Sequence, residues 1–248
     1  MTLSVTVLGS SGMFATVDRA CSGYLVEIAG KRVWMDAGAG TWQHLLKYVD
    51  YEDLDGVLLT HRHPDHTTDV FQAYHARWLG GPEPLPPIPL WAPAETLECV
   101  SAFYDVTDDG FVLHEIDEHT SLQIDDARFT FFKMAHPPET LGVRIERDGA
   151  VVAYSADSGE EADFAGLAGG ADVFLCEATL QDRDDLWFGH LRAAQAGRIA
   201  KEVGAKLTVL THLPPGRDLE LSLAEAKATA GGADVLLAFD GMSMEVNA

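Results

Sequence analysis

Residues Gly56 to His66 read GVLLTHRHPDH. An apolar run of strand character, Gly56 to Leu59, gives way to THRHPDH, which sets His61, His63, Asp65 and His66 where the strand ends. Imidazole and carboxylate are the ligands that suit zinc and its neighbours. A loop at a strand end can turn His61 and His63 inward while Asp65 and His66 face an adjacent pocket. Two ions are the natural count, and four side chains cannot complete two coordination shells. Further His and Asp residues must therefore arrive from later strand ends.

The sequence supplies them. His136 follows the strand pattern Phe129 to Met134 and precedes Pro137, Asp157 follows Val151 to Tyr154, and His212 follows Leu207 to Leu210 and precedes Leu213, Pro214 and Pro215. Each is unremarkable alone, yet all three fall just past the C-terminal end of a strand. His44, His75, His114 and His119 have no partner at metal spacing and read as structural or surface residues. Cys176, beside Glu177, reads as a buried strand position.

Further strands are read at Leu3 to Leu8, Gly23 to Ile28, Arg32 to Asp36, Phe111 to Ile116, Leu122 to Ile124, Leu141 to Glu146, Val173 to Cys176 and Val235 to Phe239. Helical spacing marks Thr41 to Val49, with Thr41 as N-cap, and also Ala94 to Tyr104, Arg192 to Val203 and Leu223 to Ala230. GGPEPLPPIP, residues 80–89, blocks helix and interior strand and reads as a surface connection into a strand at Leu90. The two halves share a strands-plus-helices plan without a repeating period. This is consistent with two sheets packed face to face with helices outside, and one domain over residues 1–248 is the expectation from length and core size.

The composition closes off other functions. The chain has 248 residues, 47% of them hydrophobic, which is ample for one large core, and a formal charge of −22. Such a surface repels nucleic-acid backbones and anionic membranes, whose affinities come from Lys and Arg. Three widely spaced cysteines, Cys21, Cys99 and Cys176, indicate neither a disulfide framework nor a zinc ribbon. With no secretion-signal pattern at the N-terminus and no apolar run of membrane-spanning length, the expected location is the cytoplasm.

HRHPDH, His136, SADS at Ser155 to Ser158, and Thr211 with His212, together with LGSSG, CSGYLVE and MDAGAGT near the start, resemble the metallo-β-lactamase superfamily. The likeness is greatest to its ribonuclease Z-like hydrolases and covers essentially the whole chain. The resemblance implies an α/β fold, the four-layer αββα sandwich. It also implies two divalent metal ions, with zinc first and manganese or iron as alternatives. His61, His63, His136 and Asp157 would hold one ion, and Asp65, His66, Asp157 and His212 the other, with Asp157 bridging. His190 resembles the histidine opening the HST-type segment of ribonuclease Z-like enzymes, although Leu191 and Arg192 stand where Ser and Thr would. Asp65, Glu177 and His190 are the catalytic candidates: His190 as general acid or phosphoryl ligand, and Glu177, like Asp36, as a carboxylate able to orient a histidine.

A G-x-S-x-G elbow is absent and no cysteine has a histidine partner in view, so metal-activated water is the better nucleophile. Ribonuclease Z proper carries a long tRNA-binding arm, usually between the segments matching His136 and Asp157, and here that interval is too short for one. With a Debye length of about 8 Å, a local positive centre can still attract a small anion despite the distant surface carboxylates. The chain resembles the short, arm-less bacterial branch of cyclic-nucleotide phosphodiesterases. The leading expectation is a phosphodiesterase acting on a small anionic substrate such as a 3′,5′-cyclic nucleotide, without extended nucleic-acid or membrane contact. A homodimer is consistent with related proteins. The alternatives are a lactone, ester or thioester hydrolase, a tRNA-processing ribonuclease Z and a non-catalytic metal-binding protein. Trp78, Trp91, Trp187 and Phe188 are candidates to line a base pocket or to serve in ordinary packing.

Overall fold

The computed structural model describes residues 3–103 and 110–246. Its strands are β1 (Leu3–Gly9), β2 (Gly23–Ile28), β3 (Lys31–Ala37), β4 (Gly56–Leu58), β5 (Ile88–Ala92), β6 (Phe111–Glu115), β7 (Ser121–Ile124), β8 (Ala127–Lys133), β9 (Leu141–Arg147), β10 (Ala150–Tyr154), β11 (Val173–Glu177), β12 (Leu207–Thr211), β13 (Val235–Leu237) and β14 (Ser243–Val246). Its helices are α1 (Thr41–Leu45), α2 (Pro64–Thr67), α3 (Val70–Leu79), α4 (Ala94–Phe103), α5 (Phe164–Ala168), α6 (Ala193–Val203) and α7 (Leu219–Thr229).

Two seven-stranded sheets result, in the orders β14-β1-β2-β3-β4-β5-β6 and β13-β12-β11-β10-β9-β8-β7. In each sheet strands earlier in the chain pair antiparallel (β1-β2-β3 and β7-β8-β9-β10) and later ones pair parallel (β3-β4-β5-β6 and β10-β11-β12-β13). Period-two side-chain alternation explains the layering. Leu3, Val5 and Val7 of β1, with Tyr24 and Val26 of β2, meet Phe129, Phe131, Val143, Val152 and Leu175 between the sheets. Leu25 and Trp34 point the other way, into a core shared with Trp42, Leu45, Val70 and Tyr74 of α1 and α3. On the far side, Phe174, Cys176 and Leu210 pack against Leu167, Ala196, Ile199 and Ala226 of α5, α6 and α7. The architecture is the expected αββα sandwich. Among the described residues no helix is long and apolar enough to cross a membrane.

Three local readings change. Thr41 is the first residue of α1, not its cap. Gly40 takes the cap position at φ 91°, while Asp69 Oδ2 accepts the amides of Gly40 and Trp42 at 2.8 and 2.9 Å. The cap comes from a distant carboxylate, and α1 ends at Leu45, with Leu46 already 44% exposed. Strand β5 starts at Ile88 and contains Pro89. The Ile88 amide points to Gly110 on the β6 side, so Pro89 faces β4, whose pairing begins one residue later at Leu90. No donor is required of Pro89 there. The end of the helix expected at Ala94 to Tyr104 lies partly outside the described residues.

Candidate metal centre

Strands β3, β4, β8, β10, β11 and β12 all run out at one edge of the sandwich, and the chemistry-bearing residues follow their C-terminal ends. His61 lies just beyond β4. His63 precedes Pro64, which disfavours the helical region for His63 and opens α2 at its first turn, and His63 is extended at φ −63°, ψ 145°. Helix α2 then carries Asp65 and His66. His136 leaves β8, Asp157 leaves β10, and His212 leaves β12 at a left-handed φ of 54°. Gly12 packs so closely on His212 that a Cβ there would lie 2.7 Å from the imidazole.

The hydrogen bonds fix which imidazole nitrogen is free. Asp36 is fully buried and accepts from the Thr60 amide and hydroxyl, the Tyr154 hydroxyl at 3.0 Å and His66 Nδ1 at 2.8 Å. Because Thr60 Oγ1 gives its one proton to Asp36, it accepts from His61 Nδ1 at 3.1 Å. His136 Nδ1 donates to the Gly189 carbonyl at 2.7 Å. Thr179 Oγ1 donates to Glu177 Oε2 at 2.8 Å and therefore accepts from His212 Nδ1, also at 2.8 Å. Thus His61, His66, His136 and His212 each commit Nδ1 and direct Nε2 inward. His63 instead presents Nδ1, 3.1 Å from His136 Nε2.

Two ligand groups converge: His61, His63, His136 and Asp157, and Asp65, His66 and His212. Asp157 faces both. Its Oδ2 lies 3.6 Å from His61 Nε2 and 3.8 Å from His136 Nε2, and its Oδ1 lies 3.3 Å from His66 Nε2 and 3.4 Å from His212 Nε2. Asp65 Oδ2 accepts the Met13 amide at 2.7 Å and sits 3.2 Å from His212 Nε2. His61 Nε2, His66 Nε2 and Asp157 Oδ1 are buried yet make no hydrogen bond. Orphaned polar atoms of this kind are costly, and here they point at one another around shared space. The donor set fits two divalent cations of borderline softness.

The electrostatics favour cation binding at His61, His63, His136 and both carboxylates, whereas His66 must release a proton when a cation binds. Burial, reinforced by the positive charge of His66, lowers the pKa of His61 well below the ordinary imidazole value, and burial also lowers His63 and His136, so lone pairs are ready without proton loss. For His66 burial acts downward too, but the Asp157 and Asp36 carboxylates outweigh it and hold the pKa well above its usual value. Burial pushes Asp157 and Asp65 upward, and the surrounding histidines, His212 and His66 foremost, more than reverse this, so both stay ionised.

Beside Asp157 and His212 lies His190, whose Nδ1 is 2.8 Å from Glu177 Oε1. Burial opposes its charge, but the adjacent Glu177 carboxylate raises its pKa to about 9. Glu177 is fully buried and also accepts the amides of Ser158 and Thr179. It thereby positions His190 directly and His212 through Thr179. Of the two carboxylates read as orienting groups, Asp36 serves His66 and Glu177 serves His190. Sequence reasoning missed Thr60, Tyr154 and Thr179, as well as the Met13 amide and Gly189 carbonyl. Only Thr179 left a signal, standing two residues beyond Glu177 on the same face of the extended chain. His44 bonds the Leu8 carbonyl at 2.6 Å and, like His75, His114 and His119, joins neither ligand group. Cys176 is fully buried, and burial raises its thiol pKa.

Replacing Asp36 by alanine strands several buried donors at once. The expected cost is about 3 to 5 kcal/mol, read as a lowered thermal midpoint of the metal-free protein. An unchanged midpoint would show that the network does not support the fold.

The sequence profile described as Beta-lactamase superfamily domain matches residues 31–213. The chain belongs to that superfamily. It is 32% identical over 218 residues to the probable metallo-hydrolase YhfI of Bacillus subtilis, spanning 86% of this chain and 87% of that one. The crystal structure of YhfI superposes with a TM-score of 0.91 at 29% identity, covering 99% of this chain and all of that one. Ribonuclease Z of Archaeoglobus fulgidus is 24% identical over 99% of this chain and 98% of its own. A diphosphatase from the PhnP family shares the fold at a TM-score of 0.78 and 20% identity, covering 99% of this chain and 98% of that one.

Proposed function

We propose that the chain is a metal-dependent hydrolase that cleaves small phosphodiesters, a 3′,5′-cyclic nucleotide foremost. The observation that carries this reading is the buried Glu177–His190 pair beside two ligand groups that share Asp157. His61, His63, His136 and Asp157 would hold one ion and Asp65, His66, Asp157 and His212 the other. Zinc suits this set, with manganese or iron as alternatives. Divalent ions bound there supply Lewis acidity toward a phosphoryl oxygen and lower the pKa of water to about 7.

The protein's own groups do the rest. Glu177 holds His190 through Nδ1, leaving Nε2–H to donate to the departing alkoxide or to bind a phosphoryl oxygen. Asp65, whose side chain is 12% exposed against 2% or less for its neighbours Asp157, His66 and His212, is the carboxylate best placed to accept from an incoming water. Met13 N–H and His212 fix its rotamer.

Substrate size follows from the chain's economy. Between His136 and Asp157 it makes only the β9–β10 hairpin, and the charge of −22 disfavours contacts along many phosphates. Kinship to a ribonuclease favours a phosphorus ester over a carbonyl one. We read residues 1–248 as one domain of a cytoplasmic enzyme; free Cys21, Cys99 and Cys176 suit a reducing compartment.

The test is hydrolysis of 3′,5′-cyclic AMP by the protein loaded with zinc or manganese, followed by product chromatography. Conversion to 5′-AMP is expected. No conversion with metal bound would overturn the reading in favour of a lactone, ester or thioester substrate.

A further inference from the structure

Leu186, Trp187 and Phe188, at 58%, 40% and 69% exposure, form the longest consecutive run of exposed large apolar side chains among the described residues. None belongs to the three cores. The run is nonetheless held firmly at the metal centre. The next residue, Gly189, accepts from His136 Nδ1, and the Trp187 ring packs on His190 at 4.8 Å and on His136 at 5.5 Å between centroids. Gly159 lets the chain pass so near that a Cβ there would lie 1.8 Å from the Phe188 carbonyl oxygen. Apolar surface anchored in this way beside reactive groups is the mark of a ligand site.

Next to it is an open concavity of about 90 Å³ lined by Trp187, Phe188, His190, Glu160, Glu161 and Gln195. His190 is nine-tenths buried, and its Nε2 makes no hydrogen bond among the described residues. Glu160 is engaged by Arg198 at 3.3 Å, whereas Glu161 has no partner among the described residues. The lining therefore combines an aromatic face with an available carboxylate that accepts N–H donors and repels carbonyl oxygens.

Resting on the phosphodiesterase reading, we propose that this concavity is the subsite for a planar nucleobase bearing an exocyclic amine, stacked on Trp187 and donating to Glu161. It selects adenine over hypoxanthine, which presents an oxygen where adenine presents the amine. The organic part of the substrate then lies on the His190 side of the metal centre.

The experiment compares 3′,5′-cyclic AMP with 3′,5′-cyclic IMP on the metal-loaded protein, and reads nucleotide binding separately by quenching of tryptophan fluorescence. Loss of one hydrogen bond to a charged group predicts a kcat/KM preference for cyclic AMP of about tenfold or more. Glu161→Gln is expected to bring that ratio close to one. Loss of base stacking in Trp187→Ala is expected to raise KM for both nucleotides about tenfold. Quenching by cyclic AMP that Trp187→Leu abolishes would support the subsite even without turnover, a result that sinks only the phosphodiesterase reading. Equal hydrolysis of both nucleotides, unaffected by either variant, would overturn the subsite and leave that reading standing. A wild-type dimer that Trp187→Ala dissociates would also overturn it, by making the run a contact between copies.

Discussion

Asp157→Ala is expected to abolish phosphodiester hydrolysis and to lower the bound metal from about two ions per chain to one or none. The two oxygens of Asp157 face different ligand groups, Oδ2 toward His61 and His136 and Oδ1 toward His66 and His212. Among the described residues no other side chain contacts both sets in this way, so its loss leaves each group one donor short. The rate should fall by well beyond the 10- to 100-fold that losing a mere orienting partner costs, roughly, in metalloenzymes. Elemental analysis of the purified variant beside wild type gives the metal count. An unchanged count together with an unchanged rate would remove the dinuclear assignment.

His190→Ala separates the proposed proton donor from the candidate metal ligands. Its turnover on cyclic AMP is expected to fall by about 10²- to 10⁴-fold, the range for losing a positioned general acid, while the metal count stays that of wild type. On bis(p-nitrophenyl) phosphate, whose leaving group departs without a proton, the loss should be much smaller. The pH dependence has a definite sign. Glu177 holds the His190 pKa above the ordinary imidazole value, at about 9, so the donating form prevails at neutral pH and is lost as pH rises through that value. The stabilisation from the Glu177–His190 pair is likewise complete below the usual imidazole pKa and disappears over the same rise. Wild-type activity should therefore decline on the alkaline side, and His190→Ala should lack that decline. If metal loss alone accounted for the defect, the assignment of His190 would fail.

Much of the site was legible because ligand chemistry uses few residue types at constrained places. HRHPDH packs four candidates into one turn, and His136, Asp157 and His212 each follow a readable apolar strand, so their common position showed without coordinates. The fold was legible for a related reason: burial on one or both sheet faces imprints alternating or continuous apolar runs. Helix α3 left no such imprint. Its buried stripe contains Arg77, 4% exposed, whose guanidinium donates to the Tyr51 and Pro86 carbonyls, and a charged residue on an apolar face hides the period. The Thr41 cap failed because Asp69, far along the chain, satisfies the amides that a local cap would have taken.

By itself, the sequence determined the strands-plus-helices plan and the strand-end placement of the His and Asp residues, since both are local properties of the chain, and its resemblance to a known superfamily implied the four-layer sandwich and the seven-residue set. The tertiary structure alone decided which nitrogen each histidine presents, because the partners that commit Nδ1, Asp36, Thr60, Thr179 and the Gly189 carbonyl, come mostly from other strands and loops. It alone decided that Glu177 charges His190, through a contact between the end of β11 and the loop before α6. It alone set Trp187 and Glu161 around one concavity. Hydrogen-bond direction and proton affinity depend on distances of a few ångströms, set for these pairs by how neighbouring strand ends and loops of one sheet lie together, while the packing of the two sheets brings Asp157 to His61 and His66.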